Sequence, residues 1–267
     1  MPRSQRPLFV ASDIHGYRTE LRDVLRDAGL VDRAGRWSGA DAQLWLLGDY
    51  VDRGPDGTGV IDDLRSLAIA AAETGGEVGA LLGNHEVQLL AAHRFGTTRV
   101  PGWHEPAGFR GAWSRYGGRD EDLIRLTREH IDWITSRPAV ALVDGYLLLH
   151  ADTIRYLEFG PTIAEINASA RAALDRPDSA DWLEFSARLT DRGAFRDAEP
   201  ARPDDPVSTI LHTLGGDRIA HGHSTLIRHF GLPLEAAHEA LWYADGRVVA
   251  VDGGVFAGGR ILLTRLP

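Results

Sequence analysis

The chain contains no cysteine, no lysine and a single methionine. Without cysteine there is no disulfide framework and no thiolate metal site, so any metal ion must be held by oxygen and imidazole ligands. Without lysine, all 29 basic residues are arginine. That usage fits a GC-rich genome, because lysine codons are A-rich, and it removes the Gly-Lys-Ser/Thr pattern of a phosphate-binding loop. Long hydrophobic runs are missing as well. No segment approaches the roughly 18 consecutive apolar residues of a membrane span, and the apolar run Leu8 to Ala11 behind the basic N-terminus is too short for a signal-peptide core. A soluble, cytoplasmic protein without membrane partners is expected. Acidic residues outnumber basic ones, 38 to 29, for a net charge of −9. This argues against nonspecific nucleic-acid binding, which needs a basic surface to displace counterions. At 267 residues, 43% hydrophobic and 25% charged, the chain has the composition of an ordinary globular protein, and one domain over 1–267 is favoured over two small ones.

What is present begins as a repeated strand, loop and helix. Leu8 to Ser12 is apolar and stops at Asp13, and Leu21, Val24, Leu25 and Ala28 follow at helical spacing. Gln43 to Leu47, then Gly48-Asp49, then a helix through Val60, Ile61, Leu64 and Leu67 repeats the unit, as do Val78 to Leu82, Gly83-Asn84-His85-Glu86 and a helix over Val87 to Ala92. Such alternation predicts an α/β fold with a largely parallel sheet covered by helices, in which ligands bind beyond the carboxyl ends of the strands. A Gly/Arg/Trp-rich stretch at about 94–133, ending in a helix through Leu123 to Trp133, reads as an insertion over the site. Asp144-Gly145 and Asp245-Gly246 mark hairpins, Ile163 to Leu174 and Thr209 to Leu214 helices, Arg196 to Pro206 a polar loop, and Arg218 to His221 and Ile261 to Arg265 strands.

The chemistry gathers where these strands end. Asp13-Ile14-His15 alone means little, since such triplets arise by chance. Convergence gives it weight: Asp13 with His15, Asp49, Asn84 with His85, His150 and His223 bring O and N ligands to five separate strand ends, as a two-metal site for phosphoryl displacement requires.

Taken in order, Asp13-Ile14-His15-Gly16, Gly48-Asp49-Tyr50-Val51-Asp52-Arg53-Gly54, Gly83-Asn84-His85-Glu86, His150 and Gly222-His223-Ser224 resemble the motifs of calcineurin-like metallophosphoesterases. The resemblance covers about residues 8–255, and the Val-Asp-Arg-Gly form is similar to the phosphoprotein phosphatase branch and its relatives, the symmetrical dinucleoside tetraphosphatases. It implies a β-sandwich of mixed sheets flanked by helices. It also implies two divalent ions, the first held by Asp13, His15 and Asp49 and the second by Asp49, Asn84, His150 and His223, with a bridging hydroxide as nucleophile. Manganese is the first choice, with iron, zinc, cobalt or nickel as alternatives. His85 is the implied general acid, Asp52 its orienting carboxylate, and Arg53 a clamp on the phosphoryl oxygens. Arg192 stands nearest to the family's second arginine, in Leu189-Thr190-Asp191-Arg192-Gly193, although the tryptophan usual before it is missing; Arg188 is the fallback. His221 remains open as a further ligand, since His221-Gly222-His223 resembles the ending of other branches.

The implied function is hydrolysis of phosphate monoesters in the manner of Ser/Thr protein phosphatases, on a phosphoprotein or small phosphate ester. A dinucleoside polyphosphate hydrolase is the alternative, and a non-catalytic metal-binding scaffold the alternative of another class. His93, His104, His130, His212, His229 and His238 have no motif around them and default to surface or core. Trp103, Trp113 and Trp133 default to packing, Gly254 to Gly259 to a turn, and the charge runs Arg119 to Asp122 and Asp204-Asp205 to solvated ends.

Overall fold

The computed structural model describes residues 6–196 and 205–267. Three strand–loop–helix units open it: β1 (Leu8–Ala11) and α1 (Arg18–Asp27), β2 (Gln43–Leu46) and α2 (Gly57–Glu73), β3 (Glu77–Ala80) and α3 (Asn84–Phe95). Helices α4 (Gly108–Arg115), α5 (Asp120–Arg125) and α6 (Arg128–Thr135) follow, then the hairpin β4 (Val140–Val143) and β5 (Tyr146–Leu149). Helices α7 (Ile163–Asp175), α8 (Ser179–Thr190) and α9 (Pro206–Leu214) lead to β6 (Arg218–His221), β7 (Leu241–Tyr243), β8 (Val248–Ala250) and β9 (Thr264–Leu266).

Two mixed sheets result. In the first, β3, β2 and β1 are parallel neighbours and β9 pairs antiparallel with β1. In the second, β5, β6 and β8 are parallel neighbours, with β4 and β7 antiparallel at the edges. Alternation along each strand sorts its side chains between two cores. Leu8 and Val10 of β1 meet Tyr146 and Leu148 of β5, Ala220 of β6 and Val249 of β8 between the sheets. Their neighbours Leu44, Leu46, Leu147, Leu149, Ile219 and Val248 face outward into the core shared with the helices. Each fully buried aliphatic side chain contributes about 1.5–3 kcal/mol, so the sandwich is held from both faces.

The helices follow local chemistry. Asp56 caps α2 by accepting from Gly59 N at 3.1 Å, and Leu21 and Leu25, four residues apart, bury one stripe of α1. The single helix expected through Leu123 to Trp133 is divided. Leu126 takes an extended ψ of 112°, and Thr127 caps a new helix by accepting from His130 N at 3.3 Å. Helix α8 was not anticipated, although Trp182, Phe185 and Leu189 form its buried stripe. Asp122 and Asp205, expected in solvent, are buried. Asp122 accepts from the amides of Asp52 and Thr58, while Asp205 caps α9 and pairs with Arg247 at 2.9 Å. Asp204 and most of the polar loop before Pro206 lie outside the described residues. No helix among the described residues is long and apolar enough to cross a membrane.

Candidate metal centre and substrate pocket

The candidate ligands all stand within four residues of the carboxyl end of a parallel strand, on β1, β2, β3, β5 and β6. The two sheets meet at this edge. Asp13 Oδ2 accepts from His223 N at 2.8 Å, and His150 Nδ1 lies 2.8 Å from Leu47 O. Gly222 and Gly83 make the approach possible: a Cβ on Gly222 would overlap Ser12 Oγ and Asp13 Oδ2, and one on Gly83 would overlap Asp49 Oδ1. Backbone strain is concentrated here. Asp13, His15, Asp49, Asp52, Arg53 and His223 all have φ between 47° and 68°. Each such residue costs on the order of 1 kcal/mol and persists only where its surroundings fix it.

Part of that fixing comes from Glu86, fully buried in the first turn of α3. Its Oε2 accepts from Asp49 N and Gly83 N, at 2.9 and 3.0 Å, and its Oε1 from Tyr50 N at 2.7 Å. One carboxylate thus ties the loop after β2 to the loop after β3.

The donor set suits cations. His15 and His150 each point Nδ1 at a backbone carbonyl, Val51 O at 3.0 Å and Leu47 O at 2.8 Å, which leaves Nε2 with its lone pair. His223 is anchored the other way, Nε2 to Thr190 O at 2.9 Å, leaving Nδ1. Anchoring one nitrogen so that the other faces an ion is the usual arrangement of metal-binding histidines. The acceptor Asn84 Oδ1 faces His150 Nε2 at 2.8 Å, a lone pair toward a lone pair. Two groups of ligand atoms lie within 4.8 Å of one another, His15 with Asp49 and His85, and Asp49 with His150 and His223. Asp49 belongs to both. Asp13 adjoins the first group, its Oδ1 3.7 Å from His15 Nε2. All these side chains are buried.

His85 sits in the first group, but both its nitrogens have other neighbours. Nδ1 is 2.7 Å from Asp52 Oδ2, and Nε2 is 2.9 Å from a terminal nitrogen of Arg53. The other terminal nitrogen of Arg53 lies 2.8 Å from His15 Nε2, and its guanidinium stacks 3.8 Å from the Phe256 ring centre. Burial pushes the His85 imidazole down to about 4, with the Asp49 charge opposing and Arg53 adding to the shift. Burial pushes His15 and His223 well down and the Asp52 carboxyl well up. Dehydration thus disfavours the charged forms of His15, His85, His223 and Asp52.

The wider pocket, of about 240 Å³, is lined by Asp13, Asp49, Arg53, Asn84, His85 and His223 below and by Arg192, Arg228, His229 and Phe256 at the rim. Arg192 donates to His223 O at 3.2 Å. Arg188 is taken up by Glu158 and Glu184 instead. His221, the open candidate, belongs to neither ligand group, and its nitrogens face Gly222 O at 2.8 Å and the Tyr243 hydroxyl at 2.7 Å. A second, largely apolar cavity of about 350 Å³ shares Gln88, Tyr116 and Thr190 with the first and is walled by Trp103, Phe109 and Trp113.

Several contributors escaped the sequence reading. Trp113, read as packing, donates from Nε1 to Asp52 Oδ1 at 2.8 Å, and His229 lines the pocket rather than a featureless surface. No local pattern marks either residue. Glu86 had a signal, as a glutamate in the first turn of a helix beginning at Asn84.

Residues 6–225 match the model of the calcineurin-like phosphoesterases, and the chain belongs to that family, whose members are metal-dependent. Over 206 residues it is 25% identical to a symmetrical bis(5'-nucleosyl)-tetraphosphatase of Janthinobacterium sp. (strain Marseille), a match covering 77% of this chain and 64% of that protein. Over 83 residues it is 32% identical to Shewanella-like protein phosphatase 2 of Arabidopsis thaliana, covering 31% and 21%. The chain thus spans less than two thirds of the length of either. The fold is similar to that of a cold-active protein-tyrosine phosphatase from a psychrophilic Shewanella, with a TM-score of 0.70 at 22% identity over 98% of this chain and 77% of that one.

Proposed function

We propose that the chain is a dinuclear metal-dependent phosphoesterase that hydrolyses phosphate monoesters, with chemistry like that of Ser/Thr protein phosphatases. The observation that carries this reading is Asp49, whose carboxylate is common to two groups of buried ligand atoms beside the guanidinium of Arg53. Asp13, His15 and Asp49 hold one ion in this reading, and Asp49, Asn84, His150 and His223 the other. Manganese is our first choice for a set of carboxylate, amide and imidazole ligands, ahead of iron, zinc, cobalt and nickel. The ions, when bound, lower the pKa of water and stabilise charge on the phosphoryl oxygens.

The remaining work falls to the protein. Arg53 takes the phosphoryl oxygens in its planar fork. In the structure its terminal nitrogens rest on His15 Nε2 and His85 Nε2, so its transfer to the substrate releases both imidazoles. Water oxygen bonds to phosphorus as the ester P–O bond breaks; His85 Nε2, which holds a lone pair while Arg53 donates to it, takes up the proton the water loses once Arg53 has moved, and passes it to the leaving oxygen. Asp52, fixed by Trp113 Nε1, positions that imidazole. Arg192 meets the phosphoryl group from the other side of the pocket.

A second reading, hydrolysis of dinucleoside polyphosphates, is favoured by the 206-residue likeness to a symmetrical tetraphosphatase. Turnover by metal-free and manganese-reconstituted protein separates the two, on an aryl phosphate monoester, an aryl diester, a phosphopeptide and diadenosine tetraphosphate. Metal-dependent cleavage of monoester and phosphopeptide supports the first reading, and selective cleavage of the dinucleotide replaces it with the second. Silence on all four with both ions bound leaves a non-catalytic scaffold.

A further inference from the structure

We infer that the rim of the metal pocket is a second anion subsite, formed by Arg228 and His229 with Arg192 shared between it and the group being cleaved, and that it takes a second phosphoryl group of the substrate while the first is cleaved. The inference rests on the phosphoesterase reading and narrows its substrate to a ligand with two or more phosphoryl groups.

The donors at the rim are mismatched. His229 Nδ1 accepts from Thr225 N at 2.9 Å, and because a backbone N–H can only donate, Nδ1 carries the lone pair. The proton of the neutral ring therefore sits on Nε2. That nitrogen faces a terminal nitrogen of Arg192 at 2.8 Å, and a guanidinium offers donors only. Two N–H groups confront each other, and an oxyanion placed against both gives each an acceptor. Protonation of the ring adds a charge and leaves the conflict in place. It is also opposed by burial, then by Arg192 and Arg196, which push the imidazole down to about 4.

Charge supports the same assignment. Arg53, Arg192 and Arg228 all line the pocket, and among the described residues none of them has a carboxylate within 4.0 Å. The lining carboxylates are Asp13 and Asp49, both assigned to the ions. Arg228 lies 5.3 Å from the centre of the Phe256 ring on which Arg53 also stacks, so one aromatic side chain links the floor clamp to the rim. In a chain of net charge −9, this local surplus of cations marks a place for a multiply charged anion.

The test is binding to manganese-loaded protein, measured by calorimetry. Methylphosphonate probes one phosphoryl site, methylenediphosphonate two adjacent ones, and propylenediphosphonate two on a spacer. Wild type is expected to bind a diphosphonate at least about tenfold more tightly than methylphosphonate, the scale of one or two charge-assisted contacts. Arg228→Ala and His229→Ala should each reduce that ratio several-fold, and the better diphosphonate tells an anhydride-like chain from separated phosphates. Equal affinity for all three ligands, or a ratio untouched in both variants, overturns the subsite. Arg228 is exposed, so its variant tests the site without straining the fold. Because binding needs no turnover, silence on all four substrates with a diphosphonate preference that falls in the variants would sink the hydrolytic reading alone, whereas turnover with a preference that is absent, or unchanged in both variants, would sink the subsite alone.

Discussion

On the floor of the pocket, Asp13, His15, Asp49 and His223 sit at strained backbone angles and are tied down by neighbouring loops, His15, His150 and His223 each having a ring nitrogen on a main-chain carbonyl. At the rim, Arg192, Arg228 and His229 come from beyond the end of α8 and from the loop after β6, and neither guanidinium has a carboxylate within 4.0 Å among the described residues. In the proposed reading the floor takes cations and the rim anions. A floor that is to hold two ions must keep its geometry, and its strained, tied-down backbone supplies that rigidity. The rim needs only to present donors, and long side chains suffice.

Substitutions on the floor should therefore act on metal content and turnover together, and those above it on turnover or selectivity alone. Asp49→Asn, which weakens the carboxylate common to both ligand groups, should have the largest effect, a fall in kcat/KM on the order of 10³-fold, the upper range for one preorganised electrostatic contact. Elemental analysis should show both ions depleted; normal ion content would remove the basis of the comparison. Arg53→Ala should lower kcat by about 10²-fold with both ions retained, and a loss of only a few-fold would take Arg53 out of the phosphoryl clamp. Trp113→Phe removes the donor to Asp52 Oδ1 and should lower kcat about tenfold with little change in KM, the scale for losing a partner that orients a site group. A change confined to KM would mean that Trp113 only walls the adjoining cavity.

The smallest expected effect lies away from both regions. Burial alone would raise the Asp63 carboxyl, but hydrogen bonds from Arg18 and Arg22 outweigh it and hold it below its ordinary 3.8. A depressed carboxyl contributes stability above the unfolded value and loses it as pH falls through the folded one. Asp63→Asn should lower stability by about 1 kcal/mol at pH 6, and the difference should shrink as pH drops below 3.8. A gap of constant size down to acid denaturation would assign the loss to packing.

The meeting of Asp13, His15, Asp49, Asn84, His150 and His223 was legible in the sequence because each candidate follows a short apolar run that predicts a strand, and strand ends are where such folds collect ligands. The three opening units and the hairpin at Asp144-Gly145 were legible for the same local reasons. The rim was not. His229 reaches the pocket only through the path of the chain after β6, and Trp113 meets Asp52 across 61 residues, contacts that no local period encodes. Asp122 looked solvated because it stands in a run of charges, yet the amides of Asp52 and Thr58 draw it inward. Helix α8 went unseen although Trp182, Phe185 and Leu189 have helical spacing. The division at Leu126 turns on Thr127, whose capping role depends on the local backbone rather than on the apolar pattern.

The measurement that tests the account most directly is the metal stoichiometry of stripped protein titrated with manganese, in wild type, Asn84→Ala and Asp49→Asn. The account predicts two ions per chain, one after Asn84→Ala and neither held tightly after Asp49→Asn. A single ion in wild type, or two retained in Asp49→Asn, would contradict a centre built on a shared carboxylate.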